Sequence, residues 1–243
     1  MKGVILAGGL GTRLYPLTKI TNKHLLPVYD VPMIYYPIYS LVEAGIDDIM
    51  IVCGGHHAGE FLRLLGNGEE FGLKHLNYTY QADEGGIAEA LGLCEHFIDD
   101  DKVVVFLGDN IIGESLHNVI DEFGKQKSGA RILLKEVEDP TDYGVCRFND
   151  GGEIVEIIEK PEIPPSNFAV VGIYMYDPQV FEIIKTLKPS ARNELEITDV
   201  NNTYLHQGNL QYSILNAFWA DAGASIEAYY QTIRIAREFK HNQ

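Results

Sequence analysis

The sequence predicts an α/β fold, a three-layer arrangement with a mostly parallel sheet and helices on both faces. Near-continuous apolar runs of strand length recur along the first half, as expected of strands buried on both sides. Helix-like stretches separate them, which is the βαβ alternation. No internal repeat, linker or low-complexity segment divides the chain. At 243 residues and 46% hydrophobic, the chain can bury a sizeable core in one continuous body.

The strand-like runs of the first half are GVILAG (3–8), DIMIVCG (48–54), NYTYQ (77–81) and KVVVFLGD (102–109). Between them PMIYYPIYSLVEAG (32–45), EFLRLLG (60–66) and GIAEALGLCEHF (86–97) read as helices. The second half is more mixed and predicts a small β subdomain. YGVCRF and EIVEIIEKP, separated by Asn149-Asp150-Gly151-Gly152, read as a hairpin. FAVVGIYMYD (168–177) is a further strand, followed by a helix from Pro178, where proline suits a first turn. YSILNAFWAD (212–221) reads as one last strand, leading to a terminal helix from about Ser225.

The formal net charge is −16, which speaks against nucleic acid or an anionic membrane as partner. The longest apolar runs, such as VVVFL, are too short to span a bilayer, and the opening MKGVILAGG lacks a signal-peptide layout. Cys53, Cys94 and Cys146 lie far apart, with no CxxC pair, which argues against a disulfide framework or a zinc site. The expectation is a soluble, cytoplasmic protein. No acidic residue precedes Asp30, whereas Lys2, Arg13, Lys19 and Lys23 do, so a local positive island is expected around residues 7–18, AGGLGTRLYPLT. Chance clustering on a solvated face explains four charges equally well; the adjoining glycines favour an anion site.

A glycine-rich turn after a strand lets backbone N–H groups face phosphate oxygens. It is not a P-loop, because the Lys and Ser/Thr of GxxxxGK[ST] are missing. It is not a dinucleotide fingerprint either: Gly9 and Gly11 fit GxGxxG, but residue 14 is Leu, and Asp30 lies among prolines rather than ending a strand. Pro16, Pro27 and Pro32 preclude a long helix directly after the turn, so residues 11–31 form a long loop, a length usually kept for function.

LAGGLGTRLYPLT followed by NKHLLPV resembles the signature of the sugar nucleotidyltransferases, the nucleotide-sugar pyrophosphorylases. The resemblance continues in order through QADEGGIAEAL, FLGDNI, DYGV, IIEKP, SNFAVVGIYMYD, PSARNELEITDVN and WADAG, covering nearly the whole chain. It implies the Rossmann-like nucleotide-diphospho-sugar transferase fold. It also implies attack by a sugar 1-phosphate on the α-phosphate of a nucleoside triphosphate, with Mg²⁺ as cofactor and pyrophosphate leaving. The expected substrates are dTTP and glucose 1-phosphate, in nucleotide-sugar and polysaccharide biosynthesis. UTP or another sugar phosphate on the same chassis is the alternative, and a non-catalytic nucleotide-sugar-binding subunit is the reading from another class. The chain is expected to act as one unit over residues 1–243, with a nucleotide-binding half to about residue 110 and a sugar-phosphate-binding half from about residue 111.

By the same resemblance, Gly8, Gly11 and Thr12 cradle the triphosphate, and Arg13 and Lys23 neutralise phosphate charge. Taken singly, Arg13 reads as a surface salt bridge and Lys23 as an exposed loop lysine. Asp109 and Asp221 are assigned to the metal; each follows an apolar run, and both also read as turn formers. Lys160 and Arg192 are to hold the sugar phosphate, and Glu159 the sugar hydroxyls. Strand alternation places Glu159 and Lys160 on opposite faces. Gly144, Val170, Gly172 and Tyr174 are expected as the sugar-pocket wall, with Asn110 touching the sugar. Gln81 and Gly86 are expected to read the pyrimidine, the amide donating and accepting and the glycine allowing close approach.

Three departures are visible. His24 stands where the family has a glutamine that contacts the nucleotide. ADEGG replaces a Pro-rich stretch after Gln81, which predicts a looser, more acidic loop. The last block is DAG rather than DTG, with Ser225 in place of a histidine, so the surroundings of Asp221 are expected to differ. Longer relatives carry a further helical tail linked to tetramer packing and end-product feedback, so neither property is carried over; a monomer or homodimer is the expectation here.

Overall fold

The computed structural model describes residues 1–241, and its main sheet carries the predicted α/β architecture. Strand β1 (Lys2–Ala7) runs into the long loop, which contains only two single turns of 3₁₀ helix and the ribbon β2 (Pro27–Val28) and β3 (Val31–Pro32). Then come α1 (Tyr35–Glu43), β4 (Asp48–Gly54), α2 (Ala58–Leu65) and β5 (His75–Gln81). Next are α3 (Ile87–Gly92), α4 (Glu95–Ile98), β6 (Val103–Leu107), β7 (Asn110–Ile112) and α5 (His117–Lys125). The second half comprises β8 (Ala130–Glu136), β9 (Gly144–Phe148), β10 (Ile154–Glu159), β11 (Phe168–Tyr176) and α6 (Gln179–Thr186). The described chain closes with α7 (Ile197–His206), β12 (Leu210–Ile214), β13 (Trp219–Asp221) and α8 (Ile226–His241). None of the described helices is long and apolar enough to cross a membrane.

Four parallel strands, in the order β6-β1-β4-β5, form one wing of a nine-stranded sheet. Strand β11 joins them antiparallel to β6 and carries β8 on its other side, with β12 beyond β8. The β9–β10 hairpin attaches to β11 through Ala169 opposite Val145. Strand periodicity divides β1 between two cores. Ile5 and Ala7 pack with α1, α2 and α5, while Val4 and Leu6 pack with α3, α6 and α7. A third, smaller core joins Leu14, Leu26, Val28 and Met33 of the loop to Ile111, Ala222 and Tyr229. The Tyr229 hydroxyl donates to the Pro27 carbonyl at 2.6 Å, so α8 clamps the loop.

Several boundaries differ from the sequence expectation, each for a local reason. Helix α1 starts at Tyr35 rather than Pro32 because Val31–Pro32 pairs with Pro27–Val28. It ends before Gly45, whose φ of 84° gives the left-handed turn helices often close on. The stretch 86–97 breaks into α3 and α4 after Gly92, a poor helix former. The expected last strand, 212–221, is two strands. β12 extends the main sheet beside β8, whereas β13 leaves it and pairs antiparallel with β7. Asp221 therefore ends a separate two-stranded ribbon. The hairpin turn at Asn149–Gly152 forms as expected, with Asn149 Oδ1 accepting from Gly151 and Glu153 N–H at 3.0 and 2.9 Å. The sequence reading did not place β2, β3, β7, α5, β8 or α7.

The second half depends on one buried side chain. Asp177 accepts from the Gly129 N–H at 2.5 Å and from the Tyr204 hydroxyl at 2.6 Å, tying the ends of β8 and β11 to α7. Replacing Asp177 by Ala leaves both donors buried and unpaired. The expected loss in urea unfolding is about 3 kcal/mol; a loss within experimental error would show that neither contact holds the fold.

Candidate active site

One cleft of about 630 Å³ opens at the carboxyl ends of β1, β5 and β6, where ligands of such sheets bind. Gly8 and Gly9 follow β1, Gln81 ends β5, and Asp109 stands two residues beyond β6. A Cβ at Gly8 would fall 2.5 Å from Gln81 Oε1, so a side chain here would displace the Gln81 amide. Thr12, Arg13, Lys23 and His24 also border the cleft. Gly11 does not. Its φ of 68° turns the loop, and its carbonyl accepts from Thr18 Oγ1 at 2.9 Å.

Asn22, which sequence reasoning missed, pins the far end of the loop. It is 3% exposed, and its Oδ1 accepts from the His24 backbone N–H at 2.9 Å. The same oxygen lies 2.7 Å from His24 Nδ1, so Nδ1 carries the ring proton. Burial, aided by the Lys23 charge, pulls the His24 pKa down to about 3. His24 is thus a neutral, buried ring at the cleft. The visible signal for Asn22 was an Asn heading a turn.

The positive island resolves into fewer cations than expected. Lys2 lies at the opposite end of β1, where its Nζ donates to the Phe97 carbonyl at 2.6 Å. Lys19 is exposed and does not border the cleft. Lys23 pairs with Asp109 in a short contact, both side chains being nearly buried. The Arg13 and Lys160 side chains border the cleft and form no salt bridge with a carboxylate among the described residues, although the Arg13 charge acts on Asp221 and that of Lys160 on Glu159.

The β7–β13 ribbon brings the two aspartates together. Asp221 stands opposite Asn110, and the Ala222 N–H donates to the Asp109 carbonyl at 2.9 Å. Burial acts to raise the Asp109 pKa, but the Lys23 ammonium overrides it and holds the carboxyl well below its usual range. Asp221 has no such partner. Burial and the Asp109 charge push it up to about 6, against the weaker pull of Lys23 and Arg13. The Gly223 N–H donates to Asp221 Oδ1 at 2.9 Å. A Cβ at Gly223 would meet Lys23 Nζ at 2.9 Å, so the DAG glycine lies directly against the ion pair. Asn110 is turned toward the protein rather than toward a ligand. Its Oδ1 accepts from Trp219 Nε1 at 2.7 Å and Gly172 N–H at 3.1 Å, and its Nδ2 donates to Asp109 Oδ1 at 3.1 Å.

The far wall comes from the second half. Glu159 and Lys160 both border the cleft, contrary to simple alternation, because β10 ends at Glu159 and Lys160 takes a φ of 44°. Burial, with Glu196 nearby, raises the Glu159 pKa, and Thr198 Oγ1 donates to it at 2.5 Å. Arg192 is held by Glu196 at 2.6 Å, Glu159 at 3.3 Å and Glu194 at 3.4 Å. Gly144, Val170, Gly172 and Tyr174 line the wall. A Cβ at Gly172 would fall 2.6 Å from Leu107 Cδ1, where the β11 register shifts. Sequence reasoning missed Glu194, Glu196, Thr198 and Trp219, although PSARNELEITDVN and WADAG, the blocks that contain them, were the available signal. It also missed Asn201, which is 1% exposed with Nδ2 unpartnered.

At the other end, Gly86 packs against Leu195, whose carbonyl would lie 2.5 Å from an added Cβ. Leu195 N–H donates to the Gly85 carbonyl at 2.8 Å, tying the ADEGG loop to the start of α7. The glycine is therefore required by chain packing as well as by any ligand.

Residues 2–238 match the family model described as nucleotidyl transferase. The chain is 46% identical over 226 residues to the glucose-1-phosphate thymidylyltransferase of Neisseria meningitidis, covering 92% of this chain and 78% of that one. The Mycobacterium tuberculosis enzyme of the same description is also 46% identical, with the same coverage. A crystal structure from Bacillus anthracis, assigned as a glucose-1-phosphate thymidylyltransferase and solved with a sucrose, has a TM-score of 0.93 at 51% identity. It covers 98% of this chain and 95% of its own. A UDP-glucose pyrophosphorylase complexed with UDP-glucose has a TM-score of 0.85 at 28% identity, over 98% of both chains.

Asp221 sets a pH dependence in metal-free protein. Its folded-state value is about 6 against 3.8 for the free side chain. The folded chain therefore holds the extra proton between these values, and the stability it contributes is lost as pH rises through 6. In EDTA at neutral pH, Asp221→Asn should melt a few degrees above the parent. The gap should narrow as pH falls from 6 towards 4. A variant that melts lower at neutral pH would show that the two carboxylates do not strain the fold.

Proposed function

The chain belongs to the nucleotidyl transferase family, and we propose that it transfers the nucleotidyl group of dTTP to glucose 1-phosphate, yielding dTDP-glucose and pyrophosphate. The observation that carries this reading is electrostatic. In a chain of net charge −16, Arg13 and Lys160 face one cleft without a carboxylate of their own. Unpaired cations from opposite halves of an acidic chain fit two anionic substrates brought side by side.

Bond formation joins an oxygen of the sugar phosphate to the α-phosphorus, and the bond to the β-phosphate oxygen breaks. Pyrophosphate leaves with the electron pair. The nucleophile is already an anion, so no side chain need deprotonate it. Positioning and charge neutralisation therefore make up the catalysis. Gly8, Gly9 and Thr12 offer a loop without bulk at the triphosphate. Arg13, whose planar fork fits two phosphate oxygens, stabilises the α-phosphate and the leaving group. Lys23 adds a second positive charge, held in place by Asp109. On the acceptor side, Lys160 and Arg192 hold the sugar phosphate. Glu159, oriented by Thr198, meets sugar hydroxyls against the wall of Gly144, Val170 and Tyr174. Residues 1 to about 110 thus serve the nucleotide, and the remainder chiefly the sugar phosphate.

Asp109 and Asp221 fit Mg²⁺. Both offer hard oxygen ligands, and Asp221 is left undercompensated beside Asp109, as the upward shift of its pKa records. No cluster of three or more His, Cys, Asp or Glu is placed for a metal among the described residues, so the ion would rest on these two carboxylates and substrate oxygens. When bound, it screens the charge of the reacting phosphates. Cys53, Cys94 and Cys146 are buried and free, which suits a cytoplasmic setting.

Pyrophosphate release should require dTTP, glucose 1-phosphate and Mg²⁺ together, and EDTA should abolish it. A clear preference for UTP over dTTP in the same assay would overturn the base assignment but not the reaction. Arg13→Ala should lower kcat by roughly 10²–10³-fold with an unchanged melting curve. Asp109→Asn should lose metal-dependent turnover by a comparable factor. Turnover within about twofold of the parent would remove the substituted residue from the mechanism.

A further inference from the structure

Gln81 is 8% exposed, and its amide is already engaged in the free protein. Nε2 donates to the Gly86 carbonyl at 3.2 Å and, in a short contact, to Glu89 Oε2. An amide nitrogen carries two hydrogens, and a carbonyl and a carboxylate can only accept. Both hydrogens are therefore committed. Flipping the amide would set Oε1 against two other acceptors with no hydrogen between them. Oε1 is left beside Gly8, on the cleft side. The sequence expectation was an amide that both donates and accepts; here its donor is already taken.

Glu89 itself does not border the cleft. It lies in the first turn of α3, with its carboxylate flat against the Gly85 backbone: a Cβ at Gly85 would fall 2.7 Å from Oε2. The direct polar link from Glu89 to the cleft is its bond from Gln81, while its packing on Gly85 touches the neighbour of Gly86.

We propose that Glu89 is a positioning residue that fixes the polarity of Gln81, so that the base is read by a lone acceptor. Thymine and uracil present an N3–H to that acceptor and are admitted. Cytosine presents a bare N3, acceptor against acceptor, and is rejected. A buried site left with unpaired polar groups discriminates strongly. This inference rests on the assignment of Gln81 as the base-reading residue.

The test compares dTTP with dCTP, by kcat/KM and by equilibrium binding, in the parent, Glu89→Gln, Glu89→Ala and Gln81→Ala. Glu89→Gln can donate as well as accept, so it permits the flipped amide. The expected result is a fall in the dTTP-to-dCTP ratio of roughly tenfold or more, chiefly through improved use of dCTP. The KM for glucose 1-phosphate should stay unchanged. Glu89→Ala, which leaves one acceptor of the two, should move the ratio the same way and serves if Glu89→Gln misfolds. A merely structural role for Glu89 would weaken both nucleotides alike and leave the ratio in place, which would overturn the proposal. If Gln81→Ala collapses the ratio while both Glu89 variants keep it, Gln81 reads the base but Glu89 does not orient it. If Gln81→Ala also keeps the ratio, the base-reading assignment fails, and the inference with it.

Discussion

Asp109 and Asp221 repel one another at the edge of the cleft, and much of the surrounding structure answers that repulsion. Lys23 compensates Asp109 directly. Asn110 donates to the same carboxylate, while Trp219 and the Gly172 N–H fix the amide that does so. The Ala222 N–H on the Asp109 carbonyl keeps the two segments in register. What remains uncompensated falls on Asp221, whose proton is held up to about pH 6. Two such carboxylates side by side are costly in isolation.

The cleft treats its cations in two ways. Lys23 and Arg192 are held by carboxylates, which fixes where their charges sit before any ligand enters. Arg13 and Lys160 are held by none, and a bound anion gives them their first partner. Neither is isolated from negative charge, since Arg13 acts on Asp221 and Lys160 on Glu159, yet no carboxylate closes on either as a salt bridge among the described residues. The loop, anchored by Asn22 and α8, sets the place of Arg13, and the left-handed residue after β10 that of Lys160.

Much of the fold was legible because burial on both faces writes itself into sequence. The runs around β1, β4, β6 and β11 are continuous and apolar, and the hairpin turn has its Asn and Gly signals. Strand β8 was passed over although its apolar ILL stands between polar flanks, and helix α7 because ITDVNNTYLH mixes β-branched and polar residues that favour no one element. The β13 ribbon was misread because LNAFWAD is as apolar as a strand; only its partner, β7, shows that the chain has left the main sheet. Of the expected site residues, all but Gly11 border the cleft. The omissions, Asn22, Glu89, Glu196 and Thr198, lie within the quoted blocks but act on other side chains, and a block does not say which of its residues does so.

The sequence by itself determined the class of chemistry. It did so through the ordered blocks that resemble one family; the glycine turn after a buried strand, with a cation beside it, by itself pointed only to an anion site. The tertiary structure alone decided the rest. It removed Lys2 from the anion site, turned Asn110 towards the protein, and put Glu159 and Lys160 on one cleft. It also committed the Gln81 amide nitrogen to Glu89 and left its oxygen beside Gly8. Each of these depends on which distant group occupies the last 3 Å around an atom, and the order of residues along the chain does not contain that distance.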